Sequence, residues 1–182
     1  MRSPNNGNGR ARKLTELALL TAVALILFAV ELRLPNLLPI PGVKLGLANV
    51  VTVYAVYRYR PREAALILVA RVLLGSLFAG SALTLLYSLA GSLLCLAGML
   101  PLRRVMPERL LWLCSVLGAV LHNLGQMAVA VLVTSTPAIA GYLPLLLVAG
   151  CIAGAFTGLC AQLLVARSRH HALGSKAQED NP

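Results

Sequence analysis

Residues 31–49 read ELRLPNLLPIPGVKLGLAN, and they interrupt an otherwise strongly apolar chain. Pro35, Pro39 and Pro41 stand close together, a turn follows at Pro41-Gly42, and Lys44 and Asn49 open the next apolar run. Proline has no amide hydrogen to donate and disfavours helix at the residue before it, so one helix must stop and another begin around an irregular loop. Two readings stand for that loop: a plain proline-rich connector, or a re-entrant or lid-like element over a site.

The surrounding composition fixes the solvent. Of 182 residues, 58% are hydrophobic and 12% charged, with a mean hydropathy of +0.80. Soluble domains carry roughly 25% charged residues, so this is an all-α integral membrane protein. At about 20 apolar residues per spanning helix the length allows about six transmembrane helices and little else. The apolar segments run 14–32, 45–57, 64–77, 83–100, 110–133 and 142–166. The second and third are short and interrupted by polar residues, which predicts packing against protein rather than lipid. The expected organisation is a basic tail over 1–13, a six-helix membrane domain over 14–168 and a C-terminal tail over 169–182 of disorder-like composition. The first apolar run is too long for a cleaved signal core and is read as a retained helix.

The net charge of +10 does not point to nucleic acid once its placement is seen. Thirteen of the sixteen Lys and Arg residues fall in the N-terminal tail, the loops at 58–62 and 103–109, and the C-terminal tail. Only Arg33 and Lys44 fall in loops on the opposite side, and Arg71 lies within a helix. Cationic residues gather in cytoplasmic loops, which predicts both termini inside and the proline-rich loop outside.

Lipid gives helices no hydrophobic reason to associate, so small residues four apart are the usual contact device. Gly150, Gly154 and Gly158 form such a ridge, read as tight packing within one protomer, and Ala18 and Ala22 form a shorter one near the inner end of the first helix. Cys95, Cys114, Cys151 and Cys160 all lie in apolar runs without the close pairing of a metal site, and are read as small hydrophobes.

Polar groups at membrane depth are costly and mark functional candidates. Glu31, Asn49, Arg71, His122, Asn123 and Gln126 all fall between the expected bilayer middle and the outer surface, with His122 and Gln126 four residues apart on one helix face. With Lys44 they form a candidate substrate-binding set, favouring an anionic or carbonyl-rich ligand. A structural reading stands beside it, in which Arg71 and Glu31 neutralise each other and the amides satisfy broken backbone. Catalysis is not expected: there is no phosphate-binding GxxxxGK[ST] loop, no HExxH, and the sole aspartate is Asp180, so no paired-aspartate magnesium site can form. No cofactor or metal is expected.

PIPGVKLGLANVVTVYAVY, REAALILVARVLLGSLFAG, LLYSLAGSLLCLAGM and VLGAVLHNLGQMAVA, in this order, resemble the bacterial membrane family called Gx transporter, also named heptaprenyl diphosphate synthase component I. The resemblance spans about residues 14–166. It implies a multi-pass protein of the bacterial cytoplasmic membrane, similar to the substrate-binding S components of energy-coupling factor (ECF) transporters. Such a bundle would use its first external loop as a lid and an AxxxA contact, here Ala18 and Ala22, to meet a coupling subunit.

Two functions follow. In the main expectation the chain captures a small molecule from the outer side, and a coupling subunit and ATPases supply the energy. In the alternative it is a non-catalytic membrane component that holds a prenyl diphosphate synthase catalytic subunit near lipid for menaquinone side-chain synthesis.

Overall fold

A computed structural model describes the backbone of residues 5–33, 46–80 and 82–179. The proline-rich stretch, with its expected lid and Lys44, lies outside the described residues. Six α-helices and no strand occur among the described residues: α1 (Asn5–Arg33), α2 (Leu47–Arg58), α3 (Pro61–Ala79), α4 (Ala82–Val105), α5 (Leu111–Thr134) and α6 (Leu143–Glu179). Short 3-10 turns precede α5 and α6.

Four segments, Gly9–Arg33, Ala82–Val105, Glu108–Thr134 and Pro137–Ser168, are long and apolar enough to cross a membrane. Their outer faces carry Leu19, Ile26, Leu132, Ile152 and Leu163 largely exposed, as a bundle surrounded by lipid tails requires. The protein is a multi-pass membrane protein. The remaining two helices differ in kind. α2 has only 12 residues, about 18 Å, against a hydrocarbon core of about 30 Å. Ala48, Val50, Val51, Val53, Ala55 and Val56 are all buried, because a helix apolar all round belongs in a core. α1, α3, α4 and α6 all pack on it.

α4 runs beyond the end expected at residue 100. It passes through Pro101 to Val105, leaving the Ala97 carbonyl without its helical donor on an exposed turn, a defect that membrane helices accommodate locally. α6 continues as helix to Glu179, past the point where the composition turns polar.

Arg103, placed by the sequence in a cytoplasmic loop, lies within α4 and is half-buried. Its Nη1 donates to the carbonyl oxygens of Val56 and Tyr59, the latter at 3.0 Å. Carbonyls at a helix C-terminus lack intrahelical partners, so this guanidinium caps α2. Its neighbour Arg104 is exposed. Arg103→Ala is therefore expected to destabilise the bundle by about 1.5–3 kcal/mol, the usual value of a charged hydrogen bond, and Arg104→Ala by about 0.5 or less. Thermal unfolding of the two variants in detergent checks this difference.

The turn into α3 is fixed by Glu63. Its Oε2 accepts the Arg60 amide at 3.0 Å, and its Oε1 meets Lys13 Nζ of α1 at 2.5 Å. The bond from Lys13 holds the Glu63 carboxyl below its ordinary range.

Candidate functional site

α1 presents one face inward through Leu17, Ala24 and Glu31, all buried and seven apart, two helical turns each. Glu31 therefore enters the protein at the end of the helix rather than reaching lipid. Gly46 meets it there: its amide donates to Glu31 Oε1 at 2.5 Å. Gly46 sits at φ 70°, ψ 30° as the N-cap of α2, a left-handed conformation that costs glycine little. A Cβ at this position would also lie 3.2 Å from Asn49 Nδ2. Gly46 O accepts the Asn49 amide at 2.8 Å, and that turn aims Asn49 across to α3, where Arg71 Nη1 donates to Asn49 Oδ1 at 3.0 Å.

Arg71 lies within electrostatic range of Glu31, Cys95 and His122. Its Nε is buried without a hydrogen-bond partner, as are Thr52 Oγ1 and Ser92 Oγ. Arg71 and Glu31 share a neighbourhood without forming the direct ion pair weighed from the sequence. The His122 ring lies against Gly91 of α4, with the Gly91 backbone in hydrogen-bond reach. A Cβ on Gly91 would stand 2.7 Å from the His122 carbonyl oxygen and 2.8 Å from Gln126 Cγ. The glycine admits both side chains to the helix crossing.

The sequence-derived set is thus divided. Glu31, Asn49, Arg71 and His122 form one cluster between α1, α2, α3, α4 and α5, with Gln126 one turn beyond His122 on the same face. Asn123 points elsewhere, donating from Nδ2 to the Leu146 carbonyl of α6 at 2.7 Å. Ala18 and Ala22 are exposed on the outward face of α1. The Gly150, Gly154 and Gly158 ridge packs on α5, where Cβ atoms at Gly154 and Gly158 would stand 2.9 Å from Ala119 Cβ and 2.6 Å from Trp112 Cα.

Gly46 and Gly91 belong to the cluster without having been singled out by the sequence, and Cys95, read there as a small hydrophobe, lies within electrostatic range of Arg71. The spacing of Gly91 and Cys95, four residues apart in LAGSLLC, was the available signal. Chemically, the site offers a guanidinium with an uncommitted N–H beside a carboxylate already held by a backbone amide. That arrangement binds or bridges; it contains no nucleophile activated by an adjacent base. Among the described residues no three His, Cys, Asp or Glu side chains converge on one point.

No curated protein and no solved structure matches the chain. A family model described as heptaprenyl diphosphate synthase component I matches residues 20–164, a span that contains Glu31, Asn49, Arg71, His122, Asn123 and Gln126. With most of its membrane part inside that match, the chain belongs to the heptaprenyl diphosphate synthase component I family.

Proposed function

We propose that the protein is the membrane-embedded component of a bacterial prenyl diphosphate synthase, holding a soluble catalytic subunit against the cytoplasmic membrane. Component I is the non-catalytic subunit of that synthase, and the chain is not itself an enzyme. The observation that carries the reading is the family match over residues 20–164. A physical rationale supports it: a long polyprenyl chain is apolar and belongs in lipid, so anchoring its synthesis at the bilayer shortens its path through water. The exposed arginines at 58, 60, 62, 104 and 109 supply a cationic surface on the side that the charge bias assigns to the cytoplasm, suited to an acidic partner face. Charge reversal there tests the contact. Arg104→Glu with Arg109→Glu should weaken co-sedimentation of the catalytic subunit with membranes by about tenfold or more; undiminished co-sedimentation rejects this surface as the interface.

A second reading rests on the buried cluster. Membrane-depth Arg71, with Asn49, Glu31 and His122 beside it, supports capture of a small anionic molecule from the outer side in the manner of an ECF S component. Gln126, one turn beyond His122 on the same face, would extend the pocket wall. The exposed pair Ala18 and Ala22 would meet a coupling subunit whose associated ATPases drive release inward.

A further inference from the structure

Cys95 and Met99, one turn apart on α4, present two sulfurs to one place: Cys95 Sγ stands 3.6 Å from Met99 Sδ. This is the spacing at which two side chains of one helix can grip a single ion. Gly118 of α5 faces both. A Cβ there would lie 2.7 Å from Met99 Sδ and 3.1 Å from Cys95 Sγ, so the glycine clears the seam for sulfur. One turn earlier on the same face of α5, Cys114 is fully buried and lies within electrostatic range of Cys95. Two thiols and a thioether, from two helices, therefore gather along one short stretch of the α4–α5 seam.

Each thiol also has a buried donor in its neighbourhood that lacks an adequate partner. Arg71, whose Nε–H is unpartnered, lies within electrostatic range of Cys95. Beyond the Cys114 thiol, the buried Tyr57 hydroxyl of α2 has no hydrogen-bond partner. A thiol is a weak acceptor and satisfies such donors poorly, whereas a thiolate accepts charge-assisted bonds. Metal ligation is what makes thiolates, since the ion displaces the proton, and donors placed behind the ligands then hold them in position.

The donor set selects the ion. Thiolates and thioethers are soft ligands that favour Cu(I), while Zn(II) takes four donors from Cys, His and carboxylate. A monovalent ion on two thiolates leaves one net negative charge, and Arg71 supplies the cation that a buried charge demands. At a metal–sulfur distance of about 2.3 Å, sulfurs 3.6 Å apart subtend about 100° at the metal, close to the tetrahedral angle. Cys95 is partly exposed, which gives an ion a way in. We infer that Cys95, Met99 and Cys114 form a binding site for a soft monovalent metal ion, Cu(I), that clamps α4 to α5. The site is complete within this chain and does not depend on assembly with a synthase.

The test is anaerobic titration of the reduced full-length protein in detergent with Cu(I), in competition with the chelator bathocuproine disulfonate, together with X-ray absorption at the copper edge. One ion per chain is expected, with three sulfurs at about 2.3 Å around it. Cys95→Ala should weaken binding by about a hundredfold or more, since even changes behind the ligands cost roughly 10–100-fold. Met99→Leu, a nearly volume-conserving change that the packing tolerates, should weaken it by about tenfold. Cys151→Ala with Cys160→Ala, the loss of both cysteines of α6, should change it by less than about twofold. Parental affinity in either Cys95→Ala or Met99→Leu, equal weakening by the α6 pair, or fewer than three sulfurs around the copper overturns the site.

Discussion

Gly158→Leu is expected to abolish the native packing of α5 on α6. A Cβ at this position would stand 2.6 Å from Trp112 Cα, 2.7 Å from Ser115 Cβ and 3.0 Å from the Trp112 carbonyl. Two of those three atoms belong to the backbone and cannot rotate away, so the helices must separate. Overpacking alone costs about 1–3 kcal/mol, and the loss of close backbone approach adds to it in a membrane bundle. Separation also breaks the buried Ser115 and Thr157 hydroxyl pair, 3.3 Å apart, and moves the Asn123 amide away from the Leu146 carbonyl. Gly141→Ala is the matched control, because nothing lies within 4 Å of a Cβ there. Thermal unfolding in detergent should show Gly158→Leu melting far below the parent, and Gly141→Ala melting with it.

The second large effect is expected at Arg71. Its bond to Asn49 ties α3 to the N-terminus of α2 at the point where Glu31 and Gly46 join α1 to the same turn. Arg71→Ala leaves the Asn49 carbonyl oxygen without its donor and removes a cation within electrostatic range of the Glu31 carboxylate. The expected cost is about 1.5–3 kcal/mol, the value of a hydrogen bond to a charged group. Arg71→Lys keeps the charge but must reach the Asn49 oxygen with a differently shaped headgroup, and should recover only part of it. In a double-mutant cycle, Asn49→Ala and Arg71→Ala should couple by about 1 kcal/mol or more, which unfolding of the four proteins measures. Additivity would mean that the two residues act independently and that the 3.0 Å bond contributes nothing to stability.

The helices were legible because lipid imposes a simple demand on composition. α2, α3 and α5 begin and end within three residues of the apolar segments that predicted them. α4 overran its expected end because a proline in a membrane helix need not stop it when the freed carbonyl can be satisfied locally. The Gly150, Gly154 and Gly158 ridge was legible for a similar reason, as close backbone approach has few other devices. Side-chain direction was harder to read. His122 and Asn123 are adjacent in sequence, yet adjacent residues on a helix point about 100° apart, so His122 turns to Gly91 of α4 and Asn123 to Leu146 of α6. Placing both in one cavity required knowing which helices flank α5. Arg103 and Arg104 diverge for the same reason: one caps α2 and the other faces outward. The open groove lined by Lys13, Tyr54, Arg60, Arg103 and Ser168 escaped the sequence altogether, since only tertiary packing brings those residues together.

The most direct test of the account is a tagged pull-down from native membranes in mild detergent, with mass spectrometry of the co-purifying proteins and of extracted small molecules. Membership of the component I family, read as assembly with a catalytic partner, predicts recovery of a prenyl diphosphate synthase, and its loss in the Arg104→Glu, Arg109→Glu variant. Recovery instead of paired ATPases and a coupling subunit, with no synthase, would contradict it and make the Glu31, Asn49, Arg71 and His122 cluster the binding site of a transporter.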